Sequence, residues 1–317
     1  MFGMIGSLQA MEHPGQAALV AEVAQDTGQD PARLNQLLSG AQRQQSILDA
    51  MARPAEAKPW SAYRPIFLTP KRIHEGVVFY REHRALLDSL GRRYGVDPAY
   101  VVAILGVETF YGANTGHYKV LDALVTLGLY YPPRAAFFRA QLKTLLELPA
   151  HSLAAPPDQL TGSYAGAQGW GQFMPDSIRQ YGVDADGDGR IDLQHSLPDI
   201  IASVAHYLQG HGWQAGQPVV LPALAQPAAK PLPVKDARPL WSVQQLEAWG
   251  YAPTATVDPA LQATVVHLAG EPASDVWLGF RNFYVITTYN RSPLYAMAVH
   301  QLAEAIHAGS DVLDRSP

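Results

Sequence analysis

Between Pro98 and Tyr118 a single residue carries a formal charge, Glu108. On a helix its neighbours three and four positions away are Ile104, Leu105, Tyr111 and Gly112, so the carboxylate falls on an apolar stripe. Desolvation there disfavours the ionised form and raises the pKa, which makes a Glu a proton donor near neutral pH. The alternative is a buried Glu satisfied by an arginine or by backbone donors. Gly106 and Gly112 favour the chemical reading, because they let another backbone or a ligand come close.

Two further stretches could touch a substrate. Gly162 to Pro175 reads GSYAGAQGWGQFMP, with glycines, Ser163, and Tyr, Trp and Phe within fourteen residues. Such a stretch suits a cleft wall for sugars, where aromatic faces stack on pyranose rings and Ser and Gln donate and accept hydrogen bonds. It also suits a tight helix–turn crossing. Ile286 to Tyr295 reads ITTYNRSPLY and places Tyr289 and Asn290 at the end of a β-like run, as cleft residues or as a turn with a capping Asn.

A fourth pattern, VDADGDGRID, offers oxygen ligands at loop positions 1, 3 and 5 (Asp184, Asp186 and Asp188), with Gly189 at 6 for the sharp turn. Arg190 would give its backbone carbonyl at position 7. His195 occupies position 12, where an EF-hand has its bidentate Glu. Asp192 supports the loop or contributes through a water. The many flexible oxygens favour Ca2+ over magnesium, in a structural role.

The elements that must hold these residues read as mainly helical. Helical pattern runs from Pro14 to about Ala50, and Met51 to Pro70, with four prolines, reads as an extended connection. A second helical run covers Lys71 to Tyr94. Asp97 as N-cap and Pro98 at the first position open the best-marked helix, which carries Glu108 and runs to Tyr111. Further helices are expected at Arg134–Leu148, Asp176–Tyr181, Asp199–Gly210 and Pro293–His307. Six prolines lie between Gln217 and Leu240, and Thr256 to Tyr289 alternates like strands, with TVVHL and FYVITT the clearest. The fold class expected is mainly α (α+β), with a small Pro-bounded, partly β insertion.

The chain has 317 residues, 23 basic and 28 acidic, and only 16% are charged. A net charge of −5 argues against nucleic acid as a partner. With no cysteine there is no disulfide framework, no Cys-ligated zinc and no thiol nucleophile. No apolar run approaches the ~18 residues that span a bilayer, and the first residues form no evident signal peptide. The eleven histidines form no HExxH pair, and Ser163 sits in no GxSxG elbow.

GVETFYG around Glu108, GSYAGAQGWGQFMP, VDADGDGRID and TTYNRSPLYAMAV occur in that order. This set resembles the soluble catalytic part of the lytic murein transglycosylase B family, glycoside hydrolase family 103, from about Tyr63 to Ala305. The resemblance implies a lysozyme-like α-rich core and cleavage of the β-1,4 bond between N-acetylmuramic acid and N-acetylglucosamine in peptidoglycan. The C6 hydroxyl closes onto C1 and leaves a 1,6-anhydromuramoyl end. It implies Glu108 as the single acid/base and Ser163 as the residue holding the sugar's N-acetyl group. Gln172, Phe173, Tyr207, Tyr289, Asn290 and Tyr295 fall where the family lines its sugar subsites, and Tyr63 adds an aromatic wall. Of the family's two adjacent arginines only Arg134 carries over, since Pro133 precedes it. Asp199 matches the closing acid of the family's longer EF-hand-like loop.

The physics fits that mechanism, because a conventional glycosidase needs two carboxylates and none besides Glu108 has an evident place near the motifs. The acetamido oxygen and an attached hydroxyl at high effective concentration can supply the rest. The alternatives are a hydrolysing muramidase on the same fold and a non-catalytic glycan- or calcium-binding module. The division expected is an N-terminal helical region (1–95), a lysozyme-like core (96–213) with the EF-hand-like loop at 184–199, the insertion (214–286), and a cleft-closing segment with a C-terminal helix (287–317). Expected partners are peptidoglycan glycan strands and proteins of the wall-synthesis machinery, with the chain a monomer. The expected location is the Gram-negative periplasm, as a soluble form or with a targeting segment not included; members held at the outer membrane use a lipidated N-terminal Cys, which is absent here.

Overall fold

A computed structural model describes residues 12–52, 58–234, 236–268 and 275–314. The chain opens with helices α1 (Gln16–Thr27), α2 (Pro31–Ser39) and α3 (Gln45–Ala52). The Asp30 side chain accepts from the Ala32 amide and Pro31 opens α2, so the local sequence sets this start. Helices α4 (Trp60–Phe67), α5 (Pro70–Glu82), α6 (Arg84–Tyr94) and α7 (Pro98–Thr109) follow.

The expected extended connection over 51–70 is corrected here, for α4 lies within it; Pro54 is outside the described residues. Pro59 stands just before the first turn of α4, Pro65 faces solvent, and Pro70 is the first residue of α5. At Pro59 and Pro70 a missing N–H removes little, whereas Pro65 gives up one helical hydrogen bond, to the Ser61 carbonyl, two residues before α4 ends. Asp97 caps α7 through the Ala99 amide, as its sequence requires.

Next come β1 (Tyr118–Lys119), α8 (Val120–Tyr130), α9 (Ala135–Glu147), β2 (Thr161–Gly162), α10 (Pro175–Tyr181) and α11 (Leu197–Gly210). Sequence periodicity misses α8, because its residues from Val120 to Gly128 are all buried and no polar face marks the period. Its one acid, Asp122, accepts from the Gln42 amide and from Gln44 Nε2, each at 3.0 Å.

The last part holds β3 (Val220–Ala225), β4 (Trp241–Ser242), α12 (Val243–Ala248), β5 (Tyr251–Pro253), β6 (Gln262–Leu268), β7 (Asp275–Gly279), α13 (Arg281–Tyr289) and α14 (Pro293–Asp314). The expected strand at FYVITT is a helix, α13. Phe283 and Ile286 are fully buried one turn apart, which a strand would place on opposite faces. The hydroxyls of Thr287 and Thr288 donate to the carbonyls of Tyr284 and Val285, so these β-favouring residues satisfy themselves within the helix. The TVVHL strand is β6, as expected.

The described residues fall into two compact units, one within 12–52 and 114–200, the other within 58–113 and 201–314. In the first, α8 packs on α3 and α9, and α9 on α1 and α10. In the second, α14 packs against α4, α5, α7 and α13. That unit also carries an antiparallel sheet of order β4-β6-β7-β3-β5. Ala263, Val265, Val276, Leu278, Val243 and Leu246 form its core, with α12 held by a Ser242–Gln245 capping box. The protein is therefore mainly α with a small sheet. Among the described residues no helix is long and apolar enough to cross a membrane.

Candidate active site

Helix α7 is buried on every side, not along one stripe. From Ala99 to Thr109 every residue except Glu108 is buried, and Glu108 alone keeps a partly open surface. Burial of its carboxylate pushes the pKa up to about 7, against a smaller lowering by a hydrogen bond from Tyr295. That bond runs from the Tyr295 hydroxyl to Glu108 Oε1 at 2.6 Å. Tyr295 is 2% exposed, in the first turn of α14, so its hydroxyl fixes one carboxylate oxygen and leaves Oε2 as the other.

The end of α7 is held by an unusual turn. Phe110 and Tyr111 both take left-handed backbone, at φ 54° and 57°. The Tyr111 hydroxyl donates to the Arg72 carbonyl at 2.8 Å. A Cβ at Gly106 would lie 2.6 Å from that hydroxyl oxygen, so Gly106 makes room for the Tyr111 ring, a residue of the same turn, rather than for a ligand. Tyr111 escapes sequence reasoning, although the Tyr-Gly after Thr109-Phe110 is its signal.

Three other tyrosines gather in the same unit. Tyr289 and Tyr63 are kept protonated by burial and by the negative charge of Glu108, with Tyr289 raised well above its usual range. The Tyr207 hydroxyl donates to the Thr288 carbonyl at 2.8 Å, and its ring meets Tyr289 at 4.7 Å. Tyr63 lies between the rings of Trp60 and Phe67. Asn290 is exposed at the end of α13, and its carbonyl accepts from the Ser292 amide.

The Gly162–Pro175 stretch lies in the other unit. It folds back on itself through bridges Gly162–Gln168 and Gln168–Phe173. Ser163 is half-buried; its Oγ accepts from the Ala167 amide at 3.1 Å, which leaves its own O–H to donate elsewhere. Gln172, at φ 52°, donates from Nε2 to the carbonyls of Gly169 and Thr115. Phe173 is 3% exposed, so its ring is core and its backbone holds the loop. Arg134 is exposed at the end of a 3-10 turn, its guanidinium over the rings of Phe137 and Phe138 at 4.7 and 4.9 Å.

In the acidic loop, carboxylate oxygens of Asp184, Asp186 and Asp188 lie within 4.8 Å of one another. Gly187 and Gly189 take positive φ, and their amides donate to the two oxygens of Asp184. Asp199 is buried and accepts from the Ala185 amide at 2.7 Å and the Asp192 amide at 2.8 Å, which ties the two arms of the loop together. Asp192 caps Gln194 and His195. Three converging hard oxygen donors on a glycine-turned loop fit a calcium ion.

The Transglycosylase SLT domain family matches residues 12–304. The chain is 39% identical over 304 residues to the membrane-bound lytic murein transglycosylase B of Escherichia coli, covering 93% of this chain and 83% of the relative. Among solved structures it matches the soluble lytic transglycosylase SltB1 of Pseudomonas aeruginosa with a TM-score of 0.86 and 45% identity, over 93% and 99% of the two chains. The Escherichia coli lytic transglycosylase Slt35, solved in complex with calcium, matches with a TM-score of 0.86 and 37% identity over 96% of each chain. With a lone acid at the one partly open position of a buried helix and matches of this extent, the chain belongs to the transglycosylase SLT family of enzymes that cleave peptidoglycan.

Proposed function

We propose that this lytic transglycosylase works with Glu108 as its single acid/base. What carries this reading is that Glu108 alone of Ala99–Thr109 keeps some open surface, while burial of its carboxylate pushes the pKa up to about 7. Protonated, it gives its proton to the glycosidic oxygen between the muramoyl and glucosaminyl residues, and the C1–O bond breaks. The acetamido oxygen of the muramoyl sugar bonds to C1 and carries the positive charge. The carboxylate then takes the proton of the C6 hydroxyl as that oxygen attacks C1 and displaces the acetamido oxygen. The 1,6-anhydro ring closes, Glu108 is again protonated, and no water is consumed. Tyr295 holds Oε1, so Oε2 is the oxygen that exchanges the proton.

This assignment predicts a pH profile. Activity depends on protonated Glu108, so kcat/KM falls as pH rises through about 7. In Tyr295→Phe the hydrogen bond that stabilises the ionised form is lost, and the falling limb moves to higher pH while kcat drops. A limb that stays in place or moves down contradicts the assignment.

The sugar-binding roles of Ser163, Gln172, Tyr63, Tyr207, Tyr289, Asn290 and Arg134 belong to the same proposal, with Phe173, its ring in the core, acting only by holding the loop that carries Ser163 and Gln172; so do the four-part division of the chain, the periplasmic location, the monomer and the partners in wall synthesis. For the acidic loop the proposal is a structural calcium held by Asp184, Asp186, Asp188, the Arg190 carbonyl and Asp199. It is supported by the convergence of the first three carboxylates and by the calcium complex of Slt35. A bound ion neutralises like charges that otherwise repel. At 100 times its dissociation constant it stabilises the fold by about 2.7 kcal/mol. Chelator is therefore expected to lower Tm and calcium to restore it; an unchanged Tm in excess chelator contradicts the site.

A further inference from the structure

A recess of about 600 Å³ lies along α13, the helix that ends at Tyr289, within the same unit. Tyr284, Thr287 and Thr288 of α13 and His211, just past the end of α11, line it, and Arg238 and Arg291 bring it two positive charges. The ring of His211 stacks on Tyr207 at 4.1 Å, and Tyr207 meets Tyr289, whose hydroxyl feels the charge of Glu108. Arg291 directly follows Asn290 in the chain. Two ring contacts, His211 on Tyr207 and Tyr207 on Tyr289, thus separate the recess from the tyrosines around Glu108.

Its floor is fixed. Arg281 donates from Nη2 to the His211 carbonyl at 2.8 Å and from Nε to the Gly212 carbonyl at 3.3 Å, which pins the end of α11 to the start of α13. Its charges are not spent. Arg238 pairs with Asp236 at 3.2 Å, but the two side chains are 62% and 50% exposed, so the pair is weak and easily exchanged. Arg291 is exposed and has no acidic partner among the described residues. Asp236 is the only acid in the lining, so the recess carries net positive charge. Its volume suits a whole small ligand, more than the single carboxylate of a bare lactyl group requires.

We propose that this recess is a stem-peptide subsite, in which Arg238 and Arg291 hold carboxylates of the peptide carried on the lactyl group of a muramoyl residue. The proposal rests on the Glu108 cluster being the cleavage site. Guanidinium forks match carboxylates with two parallel hydrogen bonds, and their exposure here makes the gain modest and salt-sensitive. The site thus distinguishes peptide-bearing strands from strands stripped of peptide by an amidase.

The test compares the full chain with Arg238→Ala/Arg291→Ala on both kinds of strand, reading the anhydro ends released. On peptide-bearing strands KM is expected to rise about 5- to 10-fold with kcat within about twofold. Higher salt should raise wild-type KM on these strands, and Arg291→Lys alone, which keeps the charge but not the fork, should raise KM less than Arg291→Ala. On stripped strands the double variant should match wild type. An equal rise on both substrates, or none on either, overturns the subsite. If wild type releases no anhydro ends from either substrate, the cleavage-site reading fails instead; anhydro ends from both with no peptide dependence overturn the subsite alone.

Discussion

Replacing Glu108 with Gln is expected to slow turnover of peptidoglycan by roughly 10³-fold or more while glycan binding persists. The amide has the same shape, and its carbonyl oxygen can still accept from the Tyr295 hydroxyl. It has no proton to give to the leaving oxygen and cannot take one from the C6 hydroxyl. Stability should move the other way. A carboxylate whose folded pKa is raised to about 7 destabilises the fold increasingly from its ordinary range up to that pH, and by a constant amount above it. At pH 8 the variant should therefore melt no lower than wild type. Turnover within tenfold of wild type would remove Glu108 from the chemistry, whatever the Tm.

The second large effect is structural. Gly116 takes φ 94°, and a Cβ there would lie 2.1 Å from the Gly162 carbonyl oxygen and 2.6 Å from the Ser163 nitrogen. Those are backbone atoms, fixed by the pairing of Tyr118 with Gly162 and of Lys119 with Thr161. Gly116→Ala combines a left-handed alanine at about 1 kcal/mol with an overpacking penalty of about 1–3 kcal/mol. A loss of roughly 3 kcal/mol lowers Tm by about 5 °C or more. Gly28→Ala is the comparison, since Gly28 has similar backbone (φ 71°) and nothing within 4 Å of its Cβ position. If the two variants melt together, the close approach beside Ser163 does not constrain the fold.

What was legible in the sequence depended on the range of the cause. Asp97, Pro98 and the lone charge of Glu108 mark α7 and its carboxylate because capping and burial patterns are local. The DxDxDG run marks its loop for the same reason. Helix α8 is hidden because burial on all sides erases the period, and α13 because its β-favouring residues are overruled by packing of Phe283 and Ile286. The resemblance singles out Tyr295 as a subsite residue, but its hydrogen bond to Glu108 joins residues 187 positions apart, which no spacing rule encodes. The Gly106 slot for Tyr111 and the recess at Arg238 and Arg291 arise the same way, from chain segments brought together only by the fold.

In the proposed reaction one carboxylate and an internal hydroxyl cut the glycan without water. Digesting purified peptidoglycan in water enriched in the heavy oxygen isotope tests it most directly, with the released muramoyl ends weighed by mass spectrometry. The expected products are 1,6-anhydromuramoyl ends that carry no heavy oxygen, absent from the Glu108→Gln reaction. Reducing ends one water heavier, with the heavy isotope at C1, would contradict the proposed reaction and make the protein a hydrolysing muramidase.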